Sequence, residues 1–222
     1  MYPMHDYAKK LLSLPDVPDQ VNALQAVLNE ERRRRQEFRE WVTEEVKAEF
    51  INGEIVAHSP VKRRHWNALD LLSRLMSVYA SSRKLGRVAI EKAMISLTRN
   101  DYEPDICFFS AEKMAAFEED QLFFPAPDLI VEILSPKTER LDRGIKKDDY
   151  AAHGVREYWI VDPLRQRVEQ FFLLSPEDKV YFQPYVFVVG EDMESRVIPG
   201  FHIPVRAIFD EAANLEALKT LV

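Results

Sequence analysis

Residues 102–163 read YEPDICFFSAEKMAAFEEDQLFFPAPDLIVEILSPKTERLDRGIKKDDYAAHGVREYWIVDP. Two short apolar runs in this stretch, DICFF and DLIVEILS, have the length and flanks of buried strands. Each holds one acid where a bland core strand would carry Val or Ile: Asp105 and Glu132. An unpaired buried carboxylate costs several kcal/mol, so such acids need a partner or a cation. Strand alternation puts Asp105 on the face of Cys107 and Glu132 on the face of Leu134, with Val131 and Ile133 opposite. A helical run follows, closed by Gly154. Asp142, Lys146 and Tyr150 stand four apart in it and therefore on one face.

Two acids and a lysine brought together can serve a metal-dependent phosphodiesterase. Mg²⁺ takes oxygen ligands, commonly one or two carboxylates plus waters. Asp105 and Glu132 are the candidate ligands, with the Ile133 carbonyl as a further oxygen. Lys146 is the candidate to orient the attacking water and offset charge on the phosphate, and Tyr150 can hydrogen-bond one turn further on. Spacing alone leaves a purely structural ion-pair cluster open.

Upstream, AEFINGEIVAHSP reads as strand, Asn-Gly turn and strand, with Glu54 just past the turn. VKRRHWNALDLLSRLMSVYASSRKLG reads as a helix with a Leu69, Leu72, Leu75, Met76 and Tyr79 stripe. His65, in its first turn, either faces the acids or is an ordinary surface or core histidine. RVAIEKAMISLT reads as one strand, with Glu91 as a further candidate carboxylate. SAEKMAAFEEDQ reads as an acidic helical insertion. Downstream, REYWIVDP and RQRVEQFFLL form a hairpin, further strands follow, and the tail from Ala207 is a short helix.

Residues 1–46 read as a helical extension. Asp19 is placed to cap a helix from about Gln20, and Val21, Leu24, Val27 and Leu28 give it an apolar stripe. The four arginines 32–35 lie between acids, which favours a solvated or partner-contacting helix over a DNA-binding one. Pairing with a second copy in a homodimer suits such a helix. The order of elements predicts an α+β fold, a mixed sheet flanked by helices over 47–222.

The chain has 222 residues, 46% apolar and 30% charged, with a net charge of −7. Residues 61–100 hold nine Lys or Arg against two acids, and 101–136 hold one against nine. That asymmetry suits a phosphate-binding face beside a cation site, and equally an ordinary solvated surface. The lone Cys107 excludes an internal disulfide and a cysteine-built zinc site. The absence of a signal-like start or an apolar run of roughly 20 residues leads us to expect a cytoplasmic protein.

The runs PDICFF, PDLIVEILSPKT and DRGIKKDDYAAHGVREYWIVDP, with NGEIVAHSP and His65 upstream, resemble the Uma-two family of the PD-(D/E)XK nuclease superfamily. The resemblance spans Lys47 to Pro204. It implies a restriction-endonuclease-like core and Mg²⁺-dependent (or Mn²⁺-dependent) cleavage of DNA. Pro104-Asp105 matches the PD element and Glu132 the second acid. The superfamily lysine belongs two residues after that acid, where this chain has Leu134. Lys146 matches as its relocated equivalent, with Lys147 the alternative. Glu54 and His65 match positions bordering the site, Glu54 as a further possible ligand. The missing lysine keeps a second reading open, a catalytically silent nuclease-fold module that binds protein or nucleic acid. Hydrolysis of a phosphodiester other than DNA is a third.

Overall fold

The computed structural model describes residues 6–43, 45–57 and 60–221. Its elements are α1 (Asp6–Leu12), α2 (Val17–Trp41), β1 (Ala48–Ile51), β2 (Glu54–Ala57), α3 (Arg63–Ser82), β3 (Gly86–Ile90), β4 (Met94–Ser96), β5 (Asp101–Tyr102) and β6 (Ile106–Ser110). After α4 (Ala111–Met114) and β7 (Phe123–Phe124) come β8 (Leu129–Ile133), α5 (Glu139–Leu141), a kinked turn (Asp142–Lys146) and α6 (Lys147–Ala152). The chain ends with β9 (Glu157–Asp162), β10 (Arg167–Phe172), β11 (Tyr185–Val188), β12 (Asp192–Glu194), β13 (His202–Pro204) and α7 (Glu211–Leu221).

The fold is α+β, built on a six-stranded mixed sheet in the order β11-β10-β9-β8-β6-β3. β8 and β9 pair in parallel, as the helical crossover between them requires, and the other neighbours pair antiparallel. Leu129, Val131 and Ile133 point to one face, into a core closed by α3 and α7. Ile130 and Leu134 point to the other, with Cys107, Tyr150 and Tyr158. Glu132 lies between them on this second face, as alternation dictates.

A second sheet, ordered β2-β1-β5-β4-β7, packs on that face through Ile51, Ile95 and Tyr102. The hairpin turns at Asn52 and Gly53, which both take positive φ, 50° and 84°. Such a turn matches the twist of paired strands and favours Asn-Gly. The outer side of this sheet is covered by the end of α2. Phe38 is buried there among Val42, Ala48, Phe50 and Met94, its ring 5.7 Å from that of Phe50.

Four sequence readings change. RVAIEKAMISLT is two strands in different sheets, because Glu91 and Lys92 take left-handed φ of 49° and 56° and turn the chain between them. Glu91 is therefore a turn residue, bonded to Lys47 at 2.8 Å. The acidic insertion forms a single helical turn, capped by the Ser110 hydroxyl. Helix α2 starts at Val17, ahead of the expected cap.

The arginine run mostly serves the chain itself. Arg33 pairs along the helix with Glu30 and Glu37. Arg34 bonds the Gly53 carbonyl and Glu54. Arg35 and Arg39 both clamp Asp101 on β5, and Arg35 also donates to the Leu97, Thr98 and Asn100 carbonyls. The expected apolar stripe of α2 is on the surface: Val21, Leu24 and Val27 are all exposed. No helix among the described residues is long and apolar enough to cross a membrane.

Candidate active site

The two sheets and the β8–β9 crossover enclose a cavity of about 400 Å³. Asp105, Glu132, Lys146, His65, Asp142 and Glu103 line it. All six are buried, yet all are charged or titratable, and the His65 Nδ1 and Asp142 Oδ1 atoms find no hydrogen-bond partner among the described residues.

Lys146 is the hub. Its Nζ lies 3.0 Å from Glu132 Oε1, 2.8 Å from Glu49 Oε1 and 3.6 Å from Asp142 Oδ1. The kinked turn after α5 places it there, with Gly144 in a non-helical conformation (φ −110°, ψ −108°). Tyr150, from α6, donates to the same Glu132 Oε1 at 2.9 Å. Burial works against the Lys146 charge, but the Glu132, Glu49 and Asp142 carboxylates outweigh it and hold the ammonium well above the usual lysine range. Lys146 is thus a fixed positive charge, unsuited to accept a proton near neutral pH. Burial lifts the Asp142 carboxyl to about 6 against the pull of Lys146. Burial likewise raises Glu132, with Lys146 opposing it and the neighbouring acids adding to it.

Asp105 precedes β6 at the Pro104 bend. Its Oδ2 accepts the Ile133 N–H at 2.7 Å and lies 3.3 Å from His65 Nε2. The hydrogen bond ties Asp105 to the strand that carries Glu132, and the 3.3 Å contact sets His65 against Asp105 on the cavity wall. Among the described residues no protein hydrogen bond reaches Asp105 Oδ1 or Glu132 Oε2. Also among them, no three of His, Cys, Asp and Glu converge as an all-protein metal cage would. Two carboxylates, each with one oxygen uncommitted beside a shared cavity, fit Mg²⁺, which keeps several of its waters.

The site gathers Asp105, Glu132, Lys146, Tyr150 and His65. Glu54 is elsewhere: it is 75% exposed at the hairpin turn and pairs with Arg34 at 3.0 Å, away from the cavity lining. The position of a possible ligand belongs to a surface ion pair. Lys147 pairs with Asp148 and lies over the Phe171 ring, also outside the cavity. Leu134 is buried in the apolar cluster around Tyr150. His58 and Ser59, in the matched run NGEIVAHSP, fall outside the described residues.

Glu49 is the residue that sequence reasoning passed over. It is fully buried on β1, and its Oε1 accepts the Glu103 N–H at 2.9 Å besides facing Lys146. The available signal was its alternation with Ile51: an acid two residues from a buried isoleucine shares the inward face.

A crystal structure of a putative nuclease belonging to DUF820 from Anabaena variabilis ATCC 29413 has the same fold, with a TM-score of 0.67 and 20% identity, over 78% of this chain and 96% of that one. No curated protein matches. The sequence profile described as Uma2, putative restriction endonuclease, matches residues 35–206, about the span of the earlier resemblance and starting inside α2. With more than half its length matched, this chain belongs to the Uma2 family.

Proposed function

We propose that this protein is a Mg²⁺-dependent nuclease that hydrolyses DNA phosphodiester bonds in the cavity between its two sheets. One observation carries the reading: a buried lysine bonded to Glu132, with the Asp105 carboxylate on the same cavity.

Asp105 Oδ1 and Glu132 Oε2 would hold the ion. When bound, Mg²⁺ lowers the pKa of an attacking water and polarises the phosphate. Lys146 stabilises the negative charge that builds on the phosphoryl oxygens, a role for a cation that keeps its proton. Tyr150 holds the Glu132 carboxylate by its Oε1 from the helix side. The Ile133 N–H holds Asp105 by its Oδ2. His65 packs against Asp105 and limits its rotation.

The test is cleavage of labelled DNA, in single-stranded and duplex forms, with Mg²⁺ or with EDTA. The native protein cuts only with the metal. Asp105→Asn loses about 10- to 100-fold through weakened metal binding, and Lys146→Met about 100-fold or more through lost charge stabilisation. Cleavage that survives EDTA and both substitutions refutes the proposal.

A catalytically silent module is the competing reading, favoured by one feature: Lys146 already has three carboxylate neighbours. Calorimetry separates the two. The nuclease binds Mg²⁺ or Mn²⁺ and loses that binding with Asp105→Asn, whereas a silent module gives no heat.

A further inference from the structure

The cavity limits which DNA can reach the reacting groups. Resting on the nuclease reading above, we infer that the site takes single-stranded DNA, a nucleotide at a time, and not the phosphodiester of an intact duplex.

The first observation is depth. Glu132 and Lys146 are 4% and 2% exposed and Asp105 is 8%. They lie in a recess of about 400 Å³, the volume class of a small-molecule ligand. A duplex is a rod with a persistence length of about 150 base pairs. Its phosphates run along the outside, and it cannot fold one of them into such a recess without releasing the strand.

The second observation is the wall. Val56, Pro60, Val61, Pro136 and Leu141 give the recess an apolar side. A phosphate has no use for that surface, but a nucleobase face does, and a base is free to use it only when unpaired and unstacked. Lys62 lines the same cavity and supplies a cation for an adjoining phosphate.

The third observation concerns the basic segment 61–100, which the sequence offered as a phosphate-binding face. Much of it is engaged within the chain. Arg74 bonds Asp70 and Glu211, Arg99 bonds Glu31, and Arg83 bonds the Leu221 carbonyl and stacks on Tyr79. What remains at the cavity is Lys62, followed along the chain by Arg63 and Arg64, and none of the three forms an ion pair among the described residues. That is a cluster for a few phosphates, short of the roughly 6–10 contacts that hold a duplex-tracking protein on DNA.

The test uses the native full chain and three labelled DNAs of one sequence: a single strand, a duplex with a single-stranded overhang, and a dumbbell closed by hairpins at both ends. Cleavage is followed with Mg²⁺, and binding by fluorescence anisotropy in EDTA. The single strand and the overhang are cut, and the dumbbell stem is cut about a hundredfold more slowly, because its bases must first unpair. The dumbbell stem also binds more weakly than the single strand. The logarithm of single-strand affinity falls with that of salt at a slope of about −2 to −3, since each phosphate contact contributes about −0.7. A stem cut and bound as well as the single strand overturns this inference and leaves the nuclease reading intact. No cleavage of any of the three, with Mg²⁺ present, refutes the nuclease reading and this inference with it.

Discussion

The carboxylate of Glu49 meets the ammonium of Lys146 at 2.8 Å, with both side chains almost wholly out of water. The two residues come from different halves of the molecule, one from the hairpin strand and one from the crossover that joins β8 to β9. Glu49 thereby fixes the lysine of the proposed site. Glu49→Gln keeps the shape and the acceptor for the Glu103 N–H but removes the charge. It should lower the cleavage rate about tenfold, in the range for a group that orients a site residue. A loss of thermal stability smaller than that of Lys146→Met, beside reduced turnover, is the expected result, and Glu49→Ala, which also lacks the acceptor, should lose more of both.

Lys146→Met tests the cluster by pH. Without the ammonium, burial acts unopposed on Glu132 and Asp142, so both carboxyls rise further. Acids whose folded pKa is raised add stability below their unfolded value, near 4, and lose it as pH rises through the folded value. The substitution should therefore cost about 3–5 kcal/mol at pH 8 and much less at pH 5. Urea denaturation at the two pH values measures the difference. A deficit that is equal at both, or larger at pH 5, contradicts the charge account.

Asp101 behaves oppositely. Burial pushes its carboxyl up, but the Arg35 and Arg39 guanidiniums and the Ser96 hydroxyl outweigh that and hold it below the usual range. A depressed folded pKa gives stability that is present above the unfolded value, about 4, and is lost as pH falls through the folded value. Asp101→Asn should cost about 3 kcal/mol at neutral pH, because two part-buried guanidiniums lose their counter-charge. Its stability should then fall less than the native protein's between pH 5 and pH 2, as read by circular dichroism.

Glu54→Ala is the negative control. The side chain is exposed and its partner Arg34 keeps the Gly53 carbonyl. Stability should change by less than about 0.5 kcal/mol, and DNA cleavage should match the native rate. A large loss of cleavage would return Glu54 to the reacting groups.

How much of this the sequence displayed can be traced through Glu132, Glu54 and Glu91. Glu132 was legible because its strand is apolar on both faces, so any acid in it is buried. Asp142, Lys146 and Tyr150 were legible from four-residue spacing, which survives the kink at Gly144. Glu49 and Glu54 sit on two short strands of one hairpin and share a face in its register, Glu49 opposite Val56 and Glu54 opposite Ile51. What separates them is distance from the turn, and hence which is covered by the larger sheet, a tertiary fact that local pattern does not contain. Glu91 was misread because a left-handed turn at two non-glycine residues leaves no mark in a strand-like pattern. Arg34 and Arg35 were misread as solvated because their partners Glu54 and Asp101 are 20 and 66 residues away.

Phe38 rests its ring on Phe50, and the next residue back from Phe50 carries the acid that grips Lys146. Helix α2 is therefore a brace for the proposed site. A protease that trimmed the protein back to its first strand would leave every group in the cavity present and still unbolt it from behind.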